Sequence, residues 1–493
     1  MERLSLTSES PKIQPQSNQL ASTNKLLGIV LLISPLLVFS LFVVYYLITL
    51  SDAILAFTSA LALLIVLLLT YLIINSLVNL GQSLFSLQTA RHNVISRRFN
   101  SRFTLVDSPK TQPVSILLWV RNQGYGLTET IKALLALNYP DYEIIIINDG
   151  STDNTMEVLE IEFGLQPLNR IFRRSLPASS ITATYTSPKY PIITVIEKPY
   201  TGRADCLNIG VNLAKAPLIC VVEPNHLLTR DALLLLAKPF IEYPSTTIMT
   251  VGLGEKRVNI EDVSLRENLQ VIERKHFFHS SLIIRDNFCL VTANKNAVKL
   301  VKKNELIEIG GFSISDLSDL LLNLKLQQLL STKKQNYRFS YIPDVLCWEN
   351  NLLEPQNAFE SHSNWQANIL TAIVSNIKLL FNFTSTQSLL ASCLLILEIF
   401  NPILTLLGII LAPIAFLIGA ISLELTVLYF IAFITFSLLV SLSGIIADEF
   451  SLRYQHSLAE IVNLVLASLV ESLFYQPVVK FWRVLGAFRT LLS

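Results

Sequence analysis

Two kinds of hydrophobic pattern follow one another along the chain. Leu26–Leu50 and Ala53–Leu77 are apolar runs of about 25 residues each, long enough to cross a hydrocarbon core of ~30 Å. A further apolar region runs from about Leu389 to Ile446, with Ile421–Ile446 as a distinct span. Between these regions the apolar residues come in short blocks. Pro113–Val120, Tyr142–Ile147, Ile192–Glu197 and Leu218–Val222 read as strands, and Leu127–Leu137 and about Arg203–Ala214 as helices. Strands that are almost continuously apolar are buried on both faces, which predicts a parallel sheet covered by helices. The expected organisation is a disordered tail at 1–25, two transmembrane helices at 26–80 and a linker at 81–110. An α/β domain at 111–385 and further transmembrane helices at 386–450 follow. Ser457–Ser472 is amphipathic, with Glu460 and Glu471, so 451–493 is expected to form interfacial helices with a basic end. Lys480, Arg483 and Arg489, beside Phe481 and Trp482, would anchor that end at the cytoplasmic interface.

Composition sharpens the division between membrane and domain. Of 493 residues 51% are hydrophobic and 15% charged, with a mean hydropathy of +0.50, too apolar for an ordinary soluble protein. The first run is long, lacks a small-residue cleavage site and is followed after Ser51-Asp52 by a second span, so it predicts an uncleaved hairpin. The short loop between the spans carries no basic residue, whereas Arg91, Arg97, Arg98 and Arg102 follow the second span. That bias predicts a multi-pass inner (plasma) membrane protein whose domain faces the cytoplasm. A net charge of +1 gives no reason to expect a nucleic-acid partner. Cys206, Cys220, Cys289, Cys347 and Cys393 are scattered without CxxC spacing, which suits a reducing compartment and argues against a zinc site. No internal repeats are evident.

Candidate chemistry gathers where the strands end. Open α/β sheets bind ligands beyond the carboxyl ends of their strands. Here those ends carry Arg121-Asn122-Gln123, Asn148-Asp149-Gly150-Ser151 and Glu223-Pro224-Asn225. One such turn is ordinarily only a turn; three on one sheet edge point to a nucleotide site.

The segments VSILLWVRNQ…LTETIKALLALNYPDYEIIIINDGSTDNT, KPYTGRADCLNIGVNLAKAPLICVVEPNHLLTRDALLLL, ELIEIGGFSISDLSDLLLNLKL and YIPDVLCWEN occur in that order. With LEIFNPILTLLG and FYQPVVKFWRVLGAFR they resemble the membrane-bound family 2 glycosyltransferases. By architecture the likeness is to bacterial synthases of poly-N-acetylglucosamine, hyaluronan and similar exopolysaccharides. It covers about residues 30–490. It implies a GT-A fold, Rossmann-like with a mostly parallel sheet, and inverting transfer from a nucleotide sugar, a UDP-sugar first among them. The acceptor would be a polysaccharide or lipid, and the cofactor Mg2+ or Mn2+.

The resemblance also assigns roles, and in several of them this chain departs from the family. Asp149 falls on the acid of the nucleotide-contacting turn, here NDGS, with Asn148 as its neighbour. Asn122-Gln123 stand for the family's Asn-Glu pair, and Trp119 for a proline. Arg203 replaces a lysine in TGRADCLN, where Asp205 is kept. Glu223 and Asn225 fall on the two acids of the metal motif, so one charged ligand has become an amide. His226 beside them reads as an ordinary residue after a strand. Asp319 falls on the acceptor base, with Ser318 in place of a second acid. SHSNW (361–365) corresponds to Gln-x-x-Arg-Trp, so Trp365 would stack in the acceptor channel and Asn364 replaces an arginine facing the diphosphate. Lys295–Lys299, KNAVK, falls on the acceptor loop. Glu398, beside Asn401-Pro402 in an apolar run, would face either the acceptor passage or a break in a kinked helix. Two functions stay open: an active transferase, or a catalytically deficient scaffold partnering an active paralogue or export proteins. A transporter is disfavoured because the spans are few.

Overall fold

The structure, a computed structural model, describes residues 44, 53–99, 110–124, 126–168, 174–256, 268–269, 272–273, 297–312, 318–333, 335–349, 358–375, 386–450 and 458–492. The tail at 1–25 and, but for Val44, the span expected at Leu26–Leu50 lie outside these. Helix α1 (Ala53–Phe99) leads into β1 (Val114–Val120), α2 (Leu127–Leu135), β2 (Tyr142–Asp149), α3 (Thr155–Phe163), β3 (Gln166–Pro167) and β4 (Ala183–Thr186). Then come β5 (Ile193–Lys198), α4 (Arg203–Leu213), β6 (Leu218–Val222), β7 (His226–Leu228), α5 (Ala232–Glu242) and β8 (Thr247–Lys256). The domain continues with β9 (Ala297–Lys302), α6 (Lys303–Glu308), α7 (Ser318–Thr332) and β10 (Arg338–Glu349). Helices α8 (Ala358–Ser375), α9 (Thr386–Leu417), α10 (Leu423–Phe450) and α11 (Leu458–Val470) follow. A π-helical turn, Glu471–Tyr475, joins the last of these to α12 (Gln476–Leu492).

The sheet order is β3-β4-β5-β2-β1-β6-β9-β8-β10-β7. The four strands expected from the sequence form its parallel centre, β5-β2-β1-β6. Around that centre the sheet is mixed: β4 joins β5 and β9 joins β6 antiparallel, whereas β8 and β10 run parallel. Alternation along the strands divides the core in two. Leu117, Ile145, Ile147, Ile219 and Val221 face α4 and α7. Ile116, Leu118, Ile144, Ile146 and Cys220 face α2 and α5. Burial on both faces explains why these strands read as continuous apolar blocks. Helix α4 lies unusually close to β1, since a Cβ on Gly210 would stand 2.8 Å from Leu117 Cδ2. The chain adds β2 and β5 on one side of β1 and β6 on the other. The crevice at the carboxyl ends of β1 and β6 is therefore the topological switch point, where ligands of such sheets bind.

Several expectations change. Residues 81–99, expected as linker, continue α1. β10 runs through Pro343-Asp344, with a register shift between Ile342 and Val345 that accommodates the missing proline N–H. Ala297–Lys299, expected in an acceptor loop, belong to β9 against β6, and the Lys299 side chain is buried. Among the described residues four helices are long and apolar enough to cross a membrane: Ile54–Gly81, Ile399–Leu417, Leu423–Ile446 and Ile461–Arg489. Three of them pack together, Leu61, Ile65 and Leu68 of α1 against Ala412, Ala415, Tyr429 and Phe433 of α9 and α10. Gly408 lets α9 meet Tyr429, for a Cβ there would lie 1.8 Å from the phenol oxygen. Beside Pro402, Asn75 Nδ2 of α1 donates to Asn401 Oδ1 at 3.4 Å.

Candidate functional site

Asp149 and Lys198 end adjacent parallel strands in register, and their side chains meet without solvent. Lys198 Nζ lies 2.9 Å from Asp149 Oδ1 and 3.3 Å from Asp205 Oδ2, with the side chains of Lys198 and Asp149 both 0% exposed. Pro199 ends β5, and its carbonyl accepts a third bond from Lys198 Nζ at 2.9 Å. Thr201 closes the ring, its hydroxyl accepting from Lys198 and donating to Asp205 Oδ2 at 2.6 Å. Asp149 also takes the Thr201 N–H on Oδ1 and the Gly202 N–H on Oδ2, each at 2.9 Å, and the Trp119 indole N–H on Oδ2 at 3.3 Å. Both of its oxygens are thus occupied twice from within the chain. Burial raises the Asp149 carboxyl, but Lys198 and the Thr201 amide outweigh it and hold the group below the ordinary carboxylate range. For Lys198, burial opposes the ammonium, while Cys206, Asp149 and Asp205 more than offset that and raise it. Asp205 is likewise held low against burial by Ser179 and Thr201, with Ser179 N at 2.9 Å and Ser179 Oγ at 2.5 Å.

This knot fixes the loop from Lys198 to Arg203. Gly150 must be glycine, having φ +61° with the Tyr200 amide nitrogen 2.7 Å from where a Cβ would stand. Arg203, the first residue of α4, turns its Nη2 to Glu223 Oε1 at 2.5 Å, across the switch-point crevice at the end of β6. Both side chains are about one-quarter exposed, at 26% and 21%. Arg121, at the end of β1, lays its guanidinium 3.6 Å from the ring centroid of exposed Tyr200. The turns beside them are laced together. Asn122, at φ 50°, accepts the Thr152 N–H on Oδ1 at 2.8 Å, and its own N–H donates to Ser151 Oγ at 3.0 Å. The Gln123 N–H donates to Thr155 Oγ1 at 2.9 Å, and Asn148 Oδ1 accepts from Ser151 Oγ at 2.5 Å. Thr130 of α2 donates to the Pro224 carbonyl at 2.6 Å, holding the Glu223–Asn225 turn.

The remaining motifs divide between scaffold and membrane side. Asn208 of α4 clamps the Gly310–Phe312 turn, accepting the Phe312 N–H at 2.8 Å and donating to its carbonyl at 3.2 Å. Asp319 opens α7, and its side chain lies outside the described residues, as does that of Glu398 in α9. Asn364 is exposed and Trp365 half-buried on α8, a helix that packs on α9 and α12 through Leu370, Val374, Ile403 and Ala487. Asp149 and Asp205 therefore share the Lys198 network, the Arg203–Glu223 pair follows it one residue along the chain, and Asn122, Gln123 and Asn225 lie in the turns at the ends of β1 and β6. Sequence inspection missed Lys198, Tyr200 and Thr201 as members. Their one signal is a lysine that ends an apolar strand directly before Pro199, a poor place for a solvated charge.

The divalent cation expected at Glu223 and Asn225 meets an unpromising donor set. Mg2+ asks for one or two carboxylates with other oxygens, and here the single carboxylate is already paired with a guanidinium. Among the described residues no group of three or more His, Cys, Asp or Glu gathers to hold a metal ion. The donors present fit such an ion poorly.

Residues 115–175 match the Glycosyl transferase family 2 domain. A poly-beta-1,6-N-acetyl-D-glucosamine synthase from Staphylococcus epidermidis is 26% identical over 251 residues, 50% of this chain and 53% of that protein. The chain matches about half the length of the curated relatives found. Among solved structures, the mannosyltransferase PcManGT from Pyrobaculum calidifontis in complex with GDP-Man and Mn2+ is similar at a TM-score of 0.46. It is 15% identical, and the match covers 83% of this chain and 99% of that one. S. aureus TarS 1-349 in complex with UDP is similar at 0.36, 14% identical, covering 76% and 91%. The residues that match this domain lie in the α/β sheet with its parallel centre, which apolar helices flank on both sides.

Proposed function

We propose that the protein is a membrane-bound family 2 glycosyltransferase that transfers a sugar from a nucleotide sugar, with inversion, to a polysaccharide or lipid acceptor. One observation carries this reading: the Asp149–Lys198–Asp205 knot fixes Arg203 against Glu223 across the switch-point crevice. That is a rigid, charged edge of the kind a nucleoside diphosphate needs. The relatives, named for poly-beta-1,6-N-acetyl-D-glucosamine synthesis, make UDP-N-acetylglucosamine the first donor to test. In the reaction the acceptor hydroxyl oxygen bonds to the anomeric carbon as the bond from that carbon to the diphosphate oxygen breaks. The electron pair of the broken bond stays on the nucleoside diphosphate, and the hydroxyl proton passes to a carboxylate, for which Asp319 is the candidate. Asp149, with its acceptor sites filled, acts as a positioning residue for the Thr201–Arg203 loop. Asn122, Gln123 and Asp205 border the nucleotide, and Trp365 with Asn364 the acceptor side. The Mg2+ or Mn2+ that the resemblance implies at Glu223 and Asn225 fits the donors poorly, so no step is routed through it.

The proposed setting is the inner membrane, multi-pass, with the domain cytoplasmic and surface polysaccharide as product. The test is transfer of labelled sugar from UDP-N-acetylglucosamine by membranes containing the protein. Asp319→Asn should slow transfer about 100-fold or more. Transfer that survives this substitution unchanged removes Asp319 from the mechanism. Absence of transfer from any common nucleotide sugar removes the enzyme and leaves the catalytically deficient scaffold, partnering a paralogue or export proteins.

A further inference from the structure

Glu223 ends β6 at the position where the family's metal acid is expected, yet its Oε1 is held by Arg203 Nη2 at 2.5 Å. A divalent cation seated on that carboxylate would have to displace the guanidinium or lie against it, where like charges at contact distance repel. The guanidinium is not a loose surface group that happens to fall there. Its residue follows Gly202, whose N–H is bonded to the buried Asp149 at 2.9 Å. Two residues on, Asp205 is tied to Ser179 and Lys198. The pair is part-exposed, so its two members are only weakly committed to one another. Arg203 can therefore swing its fork onto a phosphate that enters the crevice, an anion whose geometry matches a guanidinium. A second cation stands at the neighbouring strand end: Arg121 lies over Tyr200, with its Nε buried and without a hydrogen-bond acceptor. Two guanidiniums with one carboxylate make a site that is net positive by itself.

We propose that the Arg203 guanidinium, positioned by Glu223, takes the place of the divalent cation, so that this protein binds the nucleoside diphosphate independently of metal. The inference rests on the nucleotide-sugar reading above and deepens it. Glu223 becomes a positioning residue, and the diphosphate's charge is met by Arg203 with Arg121 beside it.

Calorimetric titration of the detergent-solubilised full chain with UDP and with GDP tests this in three buffers, containing EDTA, Mg2+ or Mn2+. Affinities that agree within about threefold across the buffers are expected. Arg203→Ala should weaken binding about 10- to 100-fold in all three, the loss of a charge-assisted contact. Arg203→Lys should recover part of that loss, because it restores the charge without the fork. Binding that appears only with Mg2+ or Mn2+, and that Glu223→Gln abolishes while Arg203→Ala leaves it intact, overturns the inference and keeps the nucleotide site. No binding of either nucleotide in any buffer by protein that melts cooperatively overturns both.

Discussion

Lys198 is a fully buried cation with a carboxylate on either side, and its removal would leave Asp149 and Asp205 facing each other. Deleting one partner of a buried ion pair costs about 3–5 kcal/mol, because the survivor keeps its desolvation without its counter-charge. Lys198→Met should therefore lower the melting temperature of the solubilised protein far more than Lys132→Met, which breaks an exposed pair with Glu162. The pH dependence follows from the shifts. Asp149 is depressed below 3.8, so its contribution is present above that value and is lost as pH falls through the folded value. Lys198 is raised above 10.5, so its contribution is complete below that value and is lost only at more alkaline pH. Across the neutral range the wild-type network should be insensitive to pH. In Lys198→Met the two acids relieve their repulsion by protonation, so the loss of melting temperature should be smaller at about pH 5 than at about pH 8. A loss equal at both values would mean that Lys198 contributes only packing. Asp149 was legible from sequence because a turn after a strand advertises polarity, whereas Asp205, inside α4, is marked only by the family resemblance. Lys198 was not legible, since nothing in a linear sequence distinguishes a lysine that leaves the sheet from one that turns inward. Trp119 shows the same limit: where the family has a proline it donates to Asp149, a role visible only once β1 and β2 are paired.

At the scale of elements, the four central strands were legible because burial on both faces forces an unbroken apolar block. β8 was not, for TIMTVGLGEK breaks its pattern with Gly252 and Gly254. The first of these glycines is required by packing, since a Cβ at 252 would stand 2.0 Å from Leu346 Cδ1. The bulge around Pro343-Asp344 likewise hides β10 from a search for regular alternation. Helix contacts are equally silent in sequence. Gly486 of α12 crosses α8 so closely that a Cβ would lie 2.1 Å from the Ser363 carbonyl oxygen and 2.5 Å from its Cα. Both obstacles are backbone, so no rotamer change relieves them. Gly486→Ala should force α8 and α12 apart at an overpacking cost of about 1–3 kcal/mol. Since α8 carries Asn364 and Trp365, the same variant should impair transfer as well as thermal stability. Gly81→Ala is the matched control: it also sits in a helix, has nothing within 4 Å, and should be neutral or slightly stabilising. Equal melting temperatures for the two variants would show that the α8–α12 crossing is looser than the geometry requires.

The whole molecule poses a question of parity. By length and hydropathy alone Ile461–Arg489 qualifies as a span, and a span there would carry the segment after it across the membrane. Its side chains argue otherwise. The segment holds Glu471, Lys480, Arg483 and Arg489, and a charge at the bilayer centre costs about 2.5–3.5 kcal/mol even on the most lenient scale. Arg483 and Glu471 have partners outside the helix's own apolar face, whereas Lys480 lies 5.0 Å from the Phe433 ring midway along α10. Arg483 Nη2 lies 3.7 Å from Glu273 Oε1, and Glu273 Oε2 lies 3.4 Å from both Tyr475 OH and His362 Nε2. Glu471, buried in the π-helical turn, accepts from Ser441 at 2.7 Å and from Gln476 at 2.8 Å. Ile272 packs with Ile445, Leu464 and Ala467, tying the same helix to the domain where α10 nears its end. We propose that this helix, fastened at Glu273 and Ile272, lies along the membrane boundary on the domain's side rather than crossing it. The sequence predicts a hairpin before the domain; with α9–α10 crossing as a pair after it, the expected number of crossings is even, which would put residue 493 on the same side as the domain. Green fluorescent protein fused behind Ser493 should fluoresce, as it does only in the cytoplasm, whereas alkaline phosphatase at the same point should be inactive. The opposite pair of results would make α11–α12 a true span. The contacts of Glu273 would then have to form within the membrane, and the anchoring of the domain to α12 would fail with them.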